Sequence, residues 1–206
     1  MTRRQKYRRT EWGSWWLNFL DGVSRWICLR VHRLRGPRLA LPARGAAVVV
    51  CNHVSGLDPL LLLAACCRPL CFLIAAEQFH RPALRWLFRR TGCVCVDREN
   101  DGGGGFYAVL RELRKGRAVV VFPQGQITKT GIVRPLKRGA LLLAERAGAR
   151  LFPVKLSGVK GEGEILRAIF MPGNVRMETR PAVKVTRENR RAALRELENF
   201  FYSACK

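Results

Sequence analysis

Residues 48–60 read V-V-V-C-N-H-V-S-G-L-D-P-L. Four residues of high strand propensity run into Asn52 and His53, and an apolar helical pattern begins just past Asp58, so the spacing predicts a strand, a turn and a helix with the histidine at the strand's carboxyl end. In open α/β sheets that end is where ligands bind. Asp58 follows His53 by five positions, close enough for a turn to carry its carboxylate to one imidazole nitrogen and leave the other free to take a proton. The same residues also describe an ordinary helix start: aspartate before Pro59 accepts from free backbone N–H groups, proline at the first helical position has no donor to waste, and Ser55 with Asp58 has capping-box spacing. On spacing alone both readings stand.

Outward from this stretch, strand-like and helical runs alternate. Strands are predicted over 47–51, 70–76, 93–96, 118–122 and 151–156, and helices over 59–67, 82–90, 106–115 and 136–147. Such alternation implies an α/β fold, a mixed and largely parallel sheet flanked by helices with right-handed crossovers. Residues 165–185 read as shorter β pieces broken by Pro172-Gly173 and Pro181, and 187–202 as a closing amphipathic helix.

Upstream, Arg3, Arg4, Lys6, Arg8 and Arg9 make a basic tail with no signal-peptide core behind it. From residue 11 to 35, Trp12, Trp15, Trp16, Phe19, Leu20, Val23, Ile27, Val31 and Leu34 recur at helical spacing, interrupted by Asp21, Arg25, Arg30 and Arg33. This predicts an N-terminal amphipathic membrane-docking helix, lying in the bilayer surface with tryptophans down and arginines towards headgroups. The chain thus divides into residues 1–35, tail and interfacial helix, and 36–206, a single α/β domain. Its 38 Lys and Arg against 15 Asp and Glu give +23, a field that favours anionic partners such as anionic phospholipid at a membrane surface. Nucleic acid would satisfy the charge as well, but no helix-turn-helix, RNA-recognition or zinc-finger pattern is present, and none is expected as a partner. Eight cysteines without a C-x-x-C pair imply neither a metal site nor a disulfide framework.

A second polar strand end is F-P-Q-G-Q-I-T-K-T-G at 122–131, where glycine in a tight turn lets backbone N–H groups approach an anion. Lys129, Arg134, Lys137 and Arg138 follow on the same rim. A third, G-C-V-C-V-D-R at 92–98, brings Asp97 and Arg98 to another strand end. Three such ends, two carrying cations, outline a site for a phosphorylated ligand.

Together these blocks resemble the glycerolipid acyltransferases typified by 1-acylglycerol-3-phosphate acyltransferase. The family's N-H-x-x-x-x-D block is matched by Asn52, His53 and Asp58, its G-x-x-x-x-x-R block by 92–98, and its F-P-E-G-T-R-S block by F-P-Q-G-Q-I-T. Leu136-Lys137-Arg138-Gly139 and Phe152-Pro153-Val154 approximate two later segments, and the N-terminal helix is similar to the family's membrane-docking element. The resemblance implies transfer of a fatty acyl group from acyl-CoA or acyl carrier protein to a hydroxyl of a lysophospholipid or related lipid acceptor. No metal or redox cofactor is implied; the positive face, the absent signal and a soluble thioester donor together predict a peripheral protein on the cytoplasmic face of a membrane. The resemblance assigns His53 and Asp58 as catalytic, and Asn52, Gln124, Gly125, Gln126, Arg98, Lys129 and Lys137 to the acceptor and oxyanion site. The departures are Gln124 for the acidic residue and Ile127 for the arginine of E-G-T-R. Either Arg98, Lys129 or Lys137 takes over the phosphate, or the acceptor is another lysophospholipid, an amino- or a glycolipid; the remaining alternative is a catalytically silent lipid-binding relative.

Overall fold

The computed structural model describes residues 12–97, 103–128, 134–162 and 167–203. A seven-stranded sheet forms its centre, with β1 (Ala47–Cys51), β2 (Leu70–Ala75), β3 (Val94–Val96), β4 (Ala118–Val121), β5 (Arg150–Ser157), β6 (Arg176–Thr179) and β7 (Val183–Lys184). Their order is β3-β2-β4-β1-β5-β6, with β7 also on β5. The run β3 to β5 is parallel, and β6 and β7 join β5 antiparallel. The mixed, largely parallel sheet expected from the alternation is therefore present.

The strand quoted first occupies the middle. β1 lies between β4 and β5, pairing Val49 with Val120 on one side and Phe152 on the other, and all five of its residues are buried. That explains the unbroken apolar run, since a parallel strand covered on both faces has no solvent side to alternate with. Val49 and Cys51 point into one layer with Leu57, Leu61 and Leu62, and Val48 and Val50 into the other with Leu113, Leu141 and Phe200. The first layer is roofed by α1 (Trp15–Trp26) and α2 (Asp58–Ala65). The second is roofed by α5 (Gly104–Arg114), α6 (Gly139–Ala147) and α7 (Arg190–Tyr202); the short α3 (Ala76–Phe79) and α4 (Pro82–Arg90) join β2 to β3.

Several elements differ from expectation: within the β pieces expected over 165–185 a 3-10 turn occupies Arg167–Phe170, and the strand expected to 76 ends at Ala75, where the short helix Ala76–Phe79 begins. The helix predicted over 136–147 starts at Gly139, because Lys137 donates its backbone N–H to the Pro123 carbonyl at 2.9 Å and so belongs to the loop contact instead of the helix. The helix predicted over 11–35 is regular only through Trp26, continues as a wider π turn over Ile27–Val31 and ends where Arg33 takes a left-handed φ of +47°. From there Arg35 hydrogen-bonds to Val175 and Met177, so the chain leaves the helix along the edge of the β6 strand.

The faces of α1 are also unlike an ordinary packed helix. Trp15, Trp16, Phe19 and Trp26 are 66, 52, 57 and 61% exposed, while Leu17 and Asp21 are buried. Arg25 points inward rather than outward with the other cations. Its guanidinium pairs with Asp21 at 2.6 Å and donates to the carbonyls of Ala64 and Cys66 at 3.1 and 2.7 Å, at the carboxyl end of α2. Cations bind favourably there because the last helical carbonyls have no partner of their own. The basic tail and Gly131 lie outside the described residues.

Candidate active site

Where β1 ends, the chain turns sharply through His53, Val54 and Ser55 and enters α2. Asp58 sits at the first position of that helix, wholly buried, yet its carboxylate does not cap the helix. Oδ2 instead reaches back to the turn, accepting from the backbone N–H groups of Val54 and Ser55 at 2.8 and 3.0 Å and from His53 Nδ1 at 2.8 Å. An ionised carboxylate can only accept, so the proton of this contact resides on Nδ1 and the neutral ring carries its lone pair on Nε2. Both readings of the sequence are thus partly realised: Asp58 closes the turn, and in doing so it holds the histidine.

The rest of the ring is held by the second strand end. Phe122, at the close of β4, stacks on the imidazole with centroids 4.0 Å apart and planes 16° from parallel. Gln124 Oε1 accepts the backbone N–H of His53 at 2.8 Å, and the carbonyl of His53 accepts from the Thr128 N–H at 2.7 Å. Backbone and ring are therefore both fixed, and the His53 side chain keeps only 15% of its surface exposed. The expected set omits Phe122 and Thr128. Their signal was their position in the same 122–128 block, but neither side chain carries chemistry that a pattern would flag.

Two members of the expected set are placed differently. The sequence puts Asn52 with the acceptor and oxyanion residues, but its amide faces β5, donating to the Leu156 carbonyl at 2.8 Å and accepting the Leu156 N–H at 2.7 Å. One residue beyond the last β1 pair, that side chain stands in for the backbone ladder and pins the two central strands together at the site. Gly125 adopts φ +76°, as the turn requires, but its N–H donates to the Phe122 carbonyl at 3.0 Å. That donor closes the turn instead of awaiting an oxyanion.

Lys137 does reach the loop. A Cβ on Gly125 would lie 3.0 Å from both Lys137 Cε and Nζ, so glycine there makes room for an ammonium over the turn. Gln126 is exposed, and with its amide oxygen turned to Arg134 it accepts from Nη1 and Nη2 at 2.7 and 3.1 Å. The Arg134 backbone is itself tied to the Tyr202 hydroxyl at the end of α7. A guanidinium thus stands on the rim although position 127 is isoleucine. Asp97 is exposed at the end of β3; Arg98 and Lys129 lie outside the described residues.

The cysteine beside the motif is not part of this machinery. Cys51 is wholly buried, and burial pushes its thiol far above the ordinary 9.0, with the Asp58 charge acting in the same direction. A nucleophilic thiolate requires the opposite environment.

A carboxylate-held histidine at the end of the central strand of an open, mostly parallel sheet is an arrangement suited to general-base chemistry, and comparison with known proteins gives the chain a family. The family model described as Acyltransferase matches residues 34–157, and the chain belongs to that family. Over 128 residues it is 28% identical to the 1-acyl-sn-glycerol-3-phosphate acyltransferase of Bacillus subtilis, covering 62% of this chain and 63% of that one. It is 31% identical over 123 residues to the lyso-ornithine lipid O-acyltransferase of Rhodobacter capsulatus, covering 59% and 44%. Against the 1-acyl-sn-glycerol-3-phosphate acyltransferase of Borreliella burgdorferi the match is 23% over 118 residues, covering 56% and 47%. The matched region spans less than two thirds of each relative's length. The crystal structure of the 1-acyl-sn-glycerophosphate acyltransferase PlsC from Thermotoga maritima superposes with a TM-score of 0.65 at 22% identity, covering 88% of this chain and 78% of that one, and shares the fold.

Proposed function

We propose that this protein is an O-acyltransferase that moves a fatty acyl group from a thioester, acyl-CoA or acyl carrier protein, to a hydroxyl of a lysophospholipid or related lysolipid. The observation that carries the reading is the 2.8 Å contact between His53 Nδ1 and the buried Asp58 carboxylate, which leaves Nε2 as an oriented base. Nε2 takes the proton of the acceptor hydroxyl as its oxygen attacks the thioester carbonyl, and Asp58 stabilises the imidazolium that forms. Collapse of the tetrahedral intermediate breaks the carbon–sulfur bond, and the leaving thiolate recovers the proton from His53. No group of the chain is acylated on the way, in keeping with the buried, protonated Cys51.

On the acceptor, the rim supports an anionic headgroup. Lys137 over Gly125 and Arg134 on Gln126 set two cations beside the loop that holds His53, and the relatives named for lysophosphatidate and for lyso-ornithine lipid both act on lysolipids. The exposed aromatic face of α1 supports docking on a bilayer surface, with the tryptophans at headgroup level. No helix among the described residues is long and apolar enough to cross a membrane. The cytoplasmic leaflet is the face that a soluble thioester donor reaches.

The test is transfer of labelled acyl chains to a panel of lysolipids on vesicles, wild type beside His53→Ala. Product from the wild type and a loss of about 10²- to 10⁴-fold in the variant is expected. Equal product from both sinks the reading, and no product from either on any acceptor leaves a lipid-binding relative as the better description.

A further inference from the structure

Along the outer side of α6 and α7 runs a groove of about 750 Å³ whose lining includes Arg138, Arg187, Arg190, Arg191 and Arg195. Arg190 is paired with Glu145 at 3.0 Å. Among the described residues Glu188 is the one carboxylate lining the groove; it is exposed, and a hydrogen bond with Thr186 holds it below the usual carboxylate range. Leu141 and Leu194 supply an apolar stretch between the cations. Arg190, Arg191 and Arg195 lie on α7, Arg187 in the turn before it and Arg138 at the start of α6, and an anion lying among them would relieve their mutual repulsion.

The position narrows the occupant. Helices α6 and α7 cover the sheet face holding Val48 and Val50, whereas α1 packs on α2, which covers the face holding Val49 and Cys51. A membrane docked on α1 is therefore on the opposite side, and the groove faces solution. One of its lining residues, Arg138, directly follows Lys137, whose ammonium covers the Gly125 turn. A concave volume of this size is in the range of small-ligand sites, about 300–1,000 Å³, whereas a stable protein partner needs about 800 Å² of surface on each side. Guanidinium groups also match phosphate in a bidentate manner that carboxylate-poor surfaces reward.

We propose that the α6/α7 groove binds a nucleotide bearing two or more phosphate groups. Two sources share that chemistry: the adenosine 3′-phosphate 5′-diphosphate head of a coenzyme A thioester, and a free nucleotide acting on the enzyme from outside the reaction. The first source rests on the acyl-transfer reading; its linear arm would pass Lys137 to bring the thioester to His53.

The experiment titrates adenosine 3′,5′-bisphosphate and ATP into the full chain by calorimetry, wild type beside an Arg187→Gln/Arg191→Gln/Arg195→Gln variant whose thermal melt is checked for an unchanged fold. Saturable binding by the wild type, weakened about tenfold or more in the variant and by added salt, is expected. A kinetic arm separates the sources. If the thioester head is the ligand, the variant raises KM for acyl-CoA about tenfold and leaves the S-acyl pantetheine analogue, which lacks the nucleotide, unchanged. If free nucleotide is the ligand, binding is lost while both donors keep their KM. No binding of either nucleotide, equal binding by wild type and variant, or arginine-dependent capture of an acidic carrier protein without nucleotide binding overturns the proposal. Arginine-dependent binding in a chain that transfers no acyl group upholds the groove and overturns the acyl-transfer reading; acyl transfer without nucleotide binding does the reverse.

Discussion

Asp58→Asn separates the two tasks that the buried carboxylate performs. Asparagine has the same shape and can keep an oxygen towards the Val54 and Ser55 N–H groups, but it carries no charge. A hydrogen bond to a charged group contributes about 1.5–3 kcal/mol against about 0.5–1.5 kcal/mol for a neutral one, so the two backbone bonds together lose about 2 kcal/mol. For a chain of this length that lowers Tm by about 4–8 °C, well within the stability of a domain, and the variant remains folded at 25 °C. The chemical effect is larger. The oxygen that faces Val54 and Ser55 also faces His53 Nδ1, so in that orientation the ring keeps its tautomer but its imidazolium loses the counter-charge; the opposite orientation sets the NH2 against both backbone N–H groups and moves the ring proton to Nε2, abolishing the base. Either outcome lowers kcat by about 10³- to 10⁴-fold, equivalent to about 4–5.5 kcal/mol of barrier. Thermal melts by circular dichroism and initial rates of acyl transfer on mixed vesicles measure the two effects on one preparation. A Tm drop of the stated size with kcat within about threefold of wild type would refute the reasoning, since Asp58 would then be closing a turn and nothing more.

Asn52→Ala leaves the Leu156 N–H and carbonyl without partners between the central strands, and should cost about 2–6 kcal/mol in urea unfolding; an unchanged midpoint would mean that β1 and β5 do not need the bridge. Arg25→Met strands the buried Asp21 carboxylate and should cost about 3 kcal/mol, while Asp21→Leu with Arg25→Met recovers most of it; equal losses in the two variants would contradict the ion-pair account. Burial pushes the Cys51 thiol well up and those of Cys28 and Cys71 up to about 12, so alkylation of the native protein should modify exposed Cys67 and spare all three until urea is added, as read by peptide mass mapping. The native state holds those thiol protons more tightly than the unfolded chain does. Their contribution to stability is therefore complete below pH 9.0 and is lost as pH rises towards 12, and a urea midpoint that climbs with pH across that window would contradict it.

The local chemistry of this protein is written in consecutive residues. The unbroken apolar run of 47–51, the five-residue step from His53 to Asp58 and the alternation of strand with helix follow from backbone geometry and burial, which act over short stretches of chain. They were enough for the parallel sheet and the strand-end site; the family resemblance rested on the ordered blocks at 52–58, 92–98 and 122–128. Pairings between distant segments were not legible. That Asn52 binds Leu156 rather than a ligand, that Gly125 closes its own turn, that Phe122 lies flat on His53 and that Arg134 stands beside Gln126 each depend on which strand neighbours which. The order β2-β4-β1-β5 decides those contacts, and it is chosen by the packing of both helical layers at once. The same holds for α1: its periodicity shows two faces, but only docking on α2 tells which is buried. Arg25 finds the free carbonyls at the end of α2, and that contact turns the tryptophans outward.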